Sequence, residues 1–146
     1  MSRRRPAGLP AGLPEKDYHE SLIWYRLAAD QGFANAQANL GMMYRDGLGV
    51  KRDLGKAMRW YRKAAEQGNV NSQSNLGWMH RYGMGVEQDY VAAFSWYNFA
   101  AVNGDDVSAK FRNQLARQMD AAQIAEARKI TKELLKKYPK MKKSGT

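Results

Sequence analysis

The amino-acid sequence repeats itself with a period of 36 residues. When residues 17–52 are laid over residues 53–88, half of the aligned positions carry the same residue. The frame continues through a third stretch and then fades, with Arg112 where Leu76 stood. A fixed period of this size is typical of solenoids, in which each unit buries its apolar side against its neighbours. The units predicted from the period are about 17–52, 53–88 and 89–119.

Each unit predicts two α-helices. In the second unit Asp53 can cap the first helix, apolar residues then recur at steps of three and four, and Gly68 ends it. A second helix follows from about residue 70 to residue 82, and no proline lies between residues 15 and 138 to interrupt the array. The recurring positions to which we assign the packing of the array are Trp24, Tyr25, Leu40, Gly41, Trp60, Tyr61, Leu76, Gly77, Trp96 and Tyr97.

The recurring residues also form a longer pattern. It reads Ala36-x-x-x-Leu40-Gly41-x-x-Tyr44-x-x-Gly47-x-Gly49-Val50-x-x-Asp53-x-x-Lys56-Ala57-x-x-Trp60-Tyr61-x-x-Ala64-Ala65-x-x-Gly68. This pattern resembles the Sel1-like repeat family, a relative of the tetratricopeptide repeat with a slightly longer unit, and it extends over about residues 12–104. A tetratricopeptide assignment is the near alternative, but the 36-residue unit and the Gly-x-Gly-Val turn favour Sel1.

The resemblance implies an all-α fold, a right-handed α/α superhelix of antiparallel helix pairs that serves as an adaptor for other proteins. We expect the repeat array to occupy residues 15–120 and a capping helix to close it at residues 121–137. A basic leader at 1–14, which contains proline and glycine, is expected to be disordered, and a basic tail follows at 138–146.

The first unit departs from the pattern, because Leu13-Pro14 stands where the later turn has Gly49-Val50. The chain therefore opens on the second half of a unit. Either the array starts there, shielded by the leader, or residues are missing upstream. The helix that carries Trp24 would then form an open apolar edge, through which the protein is expected to form a homo-oligomer.

The signatures of enzymes are absent from the sequence. It has no cysteine and only two histidines, His19 and His80, which stand in different phases of the repeat. The segment from Gly49 to Lys56 has the wrong spacing for a phosphate-binding loop. The acidic pair Asp105-Asp106 stands at a helix start, where capping explains it better than metal binding. We therefore expect no catalytic, cofactor-binding or metal-binding residues and a non-enzymatic protein.

In a solenoid, exposed positions that differ between units are better candidates for recognition than positions that are the same in every unit, so we sought the residues that bind a protein or peptide partner along the second helices. In related helix-pair solenoids one helix of each pair lines the binding groove, and asparagine and arginine side chains there can hold an extended peptide. The predicted partner-binding residues are Asn35, Asn39, Met42, Arg45, Asn71, Asn75, Trp78 and Arg81. Trp78 is the strongest candidate because tryptophan is enriched among binding hot spots. The alternative is that Trp78 packs against the first helix of the third unit.

The net charge of +10 suggests a second function. When the charge is summed by region, most of the excess positive charge lies in the leader and at the end of the chain, whereas residues 15–117 are nearly neutral. Basic ends of this kind can attract nucleic acid or an anionic surface. The alternative to the adaptor role is therefore binding of nucleic acid or an anionic surface through the basic termini.

The compartment follows from what the sequence lacks. No apolar stretch is long enough to span a membrane, and residues 7–14 are too short and too rich in proline for the apolar region of a secretory signal. We expect a cytoplasmic protein, or a periplasmic or secreted one if a signal was removed. Bacterial signalling or complex assembly is the expected setting.

Overall fold

The computed structural model describes residues 17–139, and this part of the chain folds into seven α-helices and contains no strand. The helices are α1 (Tyr18–Asp30), α2 (Ala34–Asp46), α3 (Leu54–Glu66), α4 (Val70–Tyr82), α5 (Tyr90–Val102), α6 (Asp106–Ala116) and α7 (Ala121–Lys137). The all-α prediction is confirmed. Helices α1, α3 and α5 begin at intervals of one repeat, as do α2, α4 and α6. The leader at 1–14 and residues 140–146 of the tail lie outside the described residues.

Aspartates and glycines set the ends of the helices. The side chain of Asp53 accepts a hydrogen bond from the backbone N–H of Lys56 at 3.0 Å, and Asp89 repeats this cap at the start of α5. In the turn before α3, Gly49 has a positive φ of 70°, and a Cβ there would lie 2.7 Å from the backbone carbonyl of Tyr18. The Gly-x-Gly-Val turn therefore needs glycine for its backbone conformation and for its close approach to α1.

Each helix from α1 to α5 packs on the next one, and α7 returns to pack on α5. Inside the array, Gly41 of α2 faces the ring of Tyr61, and a Cβ at this position would lie 2.9 Å from that ring. Gly77 faces Tyr97 in the same way, at 2.7 Å. The glycines recur because the helix backbone lies directly against a tyrosine ring in both units.

The three repeat tryptophans differ in burial. Trp96 is buried and Trp60 is half-buried, but Trp24 is 64% exposed, so the expectation that it packs in the array is wrong. The ring of Trp60 lies under the guanidinium of Arg26 from α1, and the ring of Trp96 lies under that of Arg62 from α3. Trp60 and Trp96 are thus each covered by the equivalent helix of the unit before. No described helix precedes α1 to cover Trp24.

Buried amide side chains connect the units. Gln37 and Gln73 each donate to a backbone carbonyl of the preceding helix, Ala29 and Ala65, at 3.2 and 3.1 Å. The Oε1 of Gln37 in turn accepts a hydrogen bond of 2.8 Å from Gln67, in the next unit. Such bonds satisfy polar groups that would otherwise be costly to bury.

Helix α7 covers the outer side of α5. A capping box of Asp120 and Gln123 starts it, and its Thr131 hydroxyl donates to the carbonyl of Ser95 on α5 at 3.3 Å. Ser95 donates to the carbonyl of Ala127 at 3.2 Å in return. Because Ser95 and Phe99 are fully buried, the outer side of α5 is part of the core.

Candidate functional site

Two neighbouring cavities open along the side of the array formed by α2, α4 and α6. The first, of about 480 Å³, lies between α2 and α4, and the second, of about 490 Å³, lies along α4 between the end of α2 and Phe111 of α6. Both are lined by Arg45, Asn71 and Asn75, so they form one continuous surface that we call the groove. The other lining residues are Asn35, Ala38, Asn39, Met42, Asp46, Arg52, Tyr61, Asn69, Ser72, Ser74, Trp78, Met84 and Phe111.

Most of the residues predicted to bind a partner line the groove. These are Asn35, Asn39, Met42, Arg45, Asn71, Asn75 and Trp78. Met42 was chosen as an exposed position, which is wrong: it is 7% exposed because it packs with Tyr18 and Met43 beneath the surface. Arg81 lines neither cavity. Its guanidinium lies 5.3 Å from the ring centre of Tyr82 instead.

Arg45 lies where the two cavities meet. Its Nη1 donates to Oδ1 of Asn75 at 3.0 Å, and its Nε and Nη2 donate to the two carboxylate oxygens of Asp46, each at 3.0 Å. The hydrogen bond with Asp46 is the largest cause of the raised pKa of Arg45. Beneath it, burial raises the pKa of Tyr61 to about 12. Arg45 is therefore a fixed positive charge, partly offset by one carboxylate.

Asparagines line the part of the groove between α2 and α4. The Nδ2 of Asn69 donates to Oδ1 of Asn35 at 3.2 Å, and the Nδ2 of Asn75 donates to the backbone carbonyl of Asn71 at 2.9 Å. A side-chain amide has both donors and an acceptor, as the peptide group has. This part of the groove can therefore bind the backbone of an extended chain.

The other end of the groove is apolar and aromatic. Trp78 is 38% exposed, and its ring lies 5.7 Å from that of Tyr82, four residues further along α4. Met84 and Phe111 complete this end. The ring of Phe111 lies 5.5 Å from that of Tyr97. Trp78 therefore faces the groove, and its ring contact lies within its own helix.

Sequence analysis missed Phe111 and Met84. Phe111 stands one period after Asn75 and two periods after Asn39, so an aromatic residue replaces the recurring asparagine in the third unit. The frame that sets Arg112 against Leu76 also sets Phe111 against Asn75, so the repeat itself carries the signal for this position.

Residues 17–139 contain no group of three or more His, Asp or Glu side chains placed to hold a metal ion. Asp105, at the start of α6, accepts a hydrogen bond from the hydroxyl of Ser108. His80 is half-buried, and burial lowers its pKa. Among the same residues, no helix is long and apolar enough to cross a membrane.

Comparisons with known proteins decide the family. The model of the Sel1 repeat matches residues 8–33, 34–69 and 70–105. The chain belongs to the Sel1 repeat family. These Sel1 units are counted from the second helix of each pair predicted above, so they are offset from our divisions at residues 17, 53 and 89.

Two solved structures resemble this Sel1 repeat protein. One is a protective antigen of uropathogenic Escherichia coli strains with an SLR fold, which has a TM-score of 0.84 and 35% identity over 91% of this chain. The other is a Sel1 repeat protein from Oxalobacter formigenes, with a TM-score of 0.59 and 40% identity over 62% of this chain. The match spans only 30% and 36% of those two chains. No curated protein matches the sequence.

Proposed function

We propose that this Sel1 repeat protein is a non-enzymatic adaptor that binds an extended segment of a protein partner in the groove. Proteins of the Sel1 repeat family typically act through protein–protein interactions. The observation that carries the proposal is the continuity of the groove, which joins an asparagine-lined part to the aromatic end at Trp78 and Phe111. An adaptor needs such a surface and no reactive group.

The two parts of the groove favour a partner segment with a particular chemistry. The amides of Asn35, Asn39 and Asn71 can pair with the backbone of an extended peptide. Trp78 and Phe111 can take up a bulky apolar side chain, as partly exposed aromatic residues often do at interfaces. The cavity at the aromatic end is also lined by two arginines, Arg45 and Arg52, and by one carboxylate, that of Asp46. The excess positive charge favours an acidic side chain in the partner, next to the apolar one.

Truncation of the aromatic end tests the proposal. A partner is first captured from a native lysate after nuclease treatment and identified by mass spectrometry, and its affinity is then measured by calorimetry. Trp78→Ala and Phe111→Ala should each weaken binding about tenfold or more, which corresponds to loss of a hot-spot side chain. Phe33→Ala is the control, because Phe33 is 61% exposed and does not line the groove. Folded Trp78→Ala protein with full affinity would contradict the proposal.

We further propose that a second copy of the chain packs on α1. Ile23, Trp24 and Leu27 lie on one side of this helix and are 60%, 64% and 51% exposed. The other end of the array is closed by α7, whose outer side is charged, so a contact between opposite ends of two copies is disfavoured, and we propose the same α1 stripe of a second copy as the partner surface. A symmetric dimer follows, because the same patch meets itself.

Analytical ultracentrifugation tests this dimer. The wild-type protein should show a concentration-dependent dimer, and Trp24→Glu should make it monomeric at the same concentrations. Since the chain has no cysteine, Leu27→Cys provides a second test: oxidation should link two copies through a single disulfide. A wild-type protein that stays monomeric at all concentrations would exclude the dimer.

The alternative role of the basic termini falls on residues 1–14 and 138–146, nearly all of which lie outside the described residues. It stays a prediction. Binding of nucleic acid or an anionic surface through these ends should weaken steeply with salt, and it should be reduced when residues 140–146 are deleted, which leaves α7 intact.

A further inference from the structure

The positive charge of the repeat array is concentrated in α3 and the turn that precedes it. Residues 51–63 contain six basic residues and one acidic residue, so this segment carries a net charge of +5, half of the +10 of the whole chain. The equivalent segments of the neighbouring units are acidic: residues 15–27 hold two bases and three acids, and residues 87–99 hold no base and two acids. Summing charge over the array hides this difference, because acidic residues elsewhere in the array offset most of the positive charge of residues 51–63.

Three of these cations share the outer side of α3. Lys56, Arg59 and Lys63 are spaced by three and four residues, so they lie along one face of the helix, and all three are exposed. The opposite side carries Ala57, Tyr61 and Ala64, which are at most 2% exposed. We call Lys56, Arg59 and Lys63 the basic face.

The charges of the basic face are not neutralised within the described residues. The one acidic residue of α3, Glu66, pairs with Arg62 at 2.8 Å, and Asp53 caps the start of the helix. The ion pairs found in residues 17–139 do not include any of the three cations of the basic face.

Aromatic rings hold two of the three cations in place. The Nζ of Lys56 lies 5.5 Å from the centre of the Tyr44 ring, and the Nζ of Lys63 lies 4.9 Å from that of Trp60. Cation–π contacts of this kind fix the ammonium groups without cancelling their charge. The basic face thus presents ordered, unpaired positive charge to solvent.

The equivalent helices of the units before and after α3 carry exposed acidic residues instead of a basic face. Glu20 and Asp30 are exposed on α1, and Glu87 and Asp89 are exposed at the start of α5. An extended polyanion that reached beyond α3 would meet repulsion from these carboxylates, whereas an acidic segment that runs along α3 needs to contact the basic face alone.

We propose that the basic face is a second docking site, which binds an acidic segment of a protein partner. Glutamate or aspartate side chains at intervals of three and four residues would match the spacing of Lys56, Arg59 and Lys63. The site is separate from the groove, because Tyr61 lines the groove from the opposite side of α3. With both surfaces occupied, the protein joins two partner segments.

A synthetic peptide tests the site directly. The probe is a fluorescein-labelled helical peptide with glutamates three and four residues apart, and binding is measured by fluorescence anisotropy on the full chain. The double substitution Arg59→Glu and Lys63→Glu should weaken binding at least about tenfold, since two contacts become repulsive. Arg59→Gln should give a smaller loss in the same direction, and it keeps the test valid if the double variant folds poorly.

The matched control reverses two other exposed helical cations, Lys129→Glu and Lys132→Glu on α7. The control has the same net charge as the double variant and should change the affinity less than about twofold. Trp78→Ala should leave peptide binding unchanged, so a failure of the groove is distinguishable from a failure of the basic face.

Three results would overturn the proposal. The first is an equal loss in the α7 control, which would assign binding to net charge. The second is absence of peptide binding to the wild-type protein at low salt. The third is tighter binding of a single-stranded oligonucleotide of equal charge that is lost with Arg59 and Lys63, which would make the face a nucleic-acid site.

Discussion

Helices α3 and α5 occupy equivalent places in consecutive units, and their inner sides match whereas their outer sides do not. Their inner sides are the same: Ala57 and Ala93, Tyr61 and Tyr97, and Ala64 and Ala100 are all buried. Their outer sides differ: Lys56 stands against Ala92, Arg59 against Ser95, and Lys63 against Phe99. Inner positions recur because each unit packs on the same kind of neighbour. Outer positions differ because α7 covers α5, whereas the outer side of α3 is exposed.

Exchanging the outer residues should have the largest effect. Phe99→Lys removes a fully buried ring under α7 and places a charge there, so it should lower the free energy of unfolding by about 3–5 kcal/mol. The reverse change on α3, Lys63→Phe, should alter it by less than about 0.5 kcal/mol because the site is exposed. Urea denaturation followed by circular dichroism measures both. Similar losses in the two variants would mean that the outer sides are not distinct.

The inner sides of α3 and α5 should respond alike when a methyl group is added to the glycine that faces the tyrosine of each helix. Gly41→Ala and Gly77→Ala each place a Cβ less than 3 Å from a buried tyrosine ring, and each should cost about 1–3 kcal/mol of unfolding free energy. Gly55→Ala is the control within α3, because the one atom near its Cβ is Oδ1 of Asp53 at 3.4 Å. This variant should be neutral or slightly stabilised, by up to about 1 kcal/mol. A stable Gly77→Ala protein would show that the tyrosine ring can move away.

Alkaline pH should weaken the packing on the inner sides of both α3 and α5. Burial raises the pKa of Tyr61 and of Tyr97 to about 12, from an ordinary value of 10.0. The folded protein thus holds these protons more tightly, so their contribution to stability is complete below pH 10 and is lost as pH rises towards 12. In urea denaturation at pH 9 to 12, Tyr61→Phe and Tyr97→Phe should each reduce the loss of stability with pH. Unchanged pH dependence in both would exclude the tyrosines as its cause.

The smallest expected effect is a loss of stability at mildly acidic pH that arises in α4 and has no counterpart in α2. His80 occupies the place of Tyr44, and burial lowers its pKa below the ordinary value of 6.5, although the charge of Asp89 opposes this. Its contribution to stability is present above pH 6.5 and is lost as pH falls through the lower pKa of the folded state. His80→Tyr should therefore flatten the decline in melting temperature between pH 7 and pH 5. An identical decline in this variant would assign the effect to carboxylates.

The sequence predicted the helices and most of the groove, because both depend on the repeat. Asp53, Gly68 and the recurring alanines define a helix pair locally, so its bounds follow from capping and period. Asn71 and Asn75 lie in the groove because positions four residues apart share a face of α4. The period says nothing about what covers a face, and for this reason it was wrong to assign Trp24 to the packing of the array and Met42 to the exposed surface.

The sequence by itself determined the repeating unit of this protein, since a 36-residue period with small residues and tyrosines in a fixed phase permits one kind of packing between neighbours. Only the tertiary structure decided what the outer surfaces became. Whether a helix face is core or surface depends on a non-repeating helix that returns from elsewhere in the chain, as α7 does on α5. In the same way, the three cations of the basic face form an exposed charged surface because no helix returns to cover the outer side of α3 within the described residues.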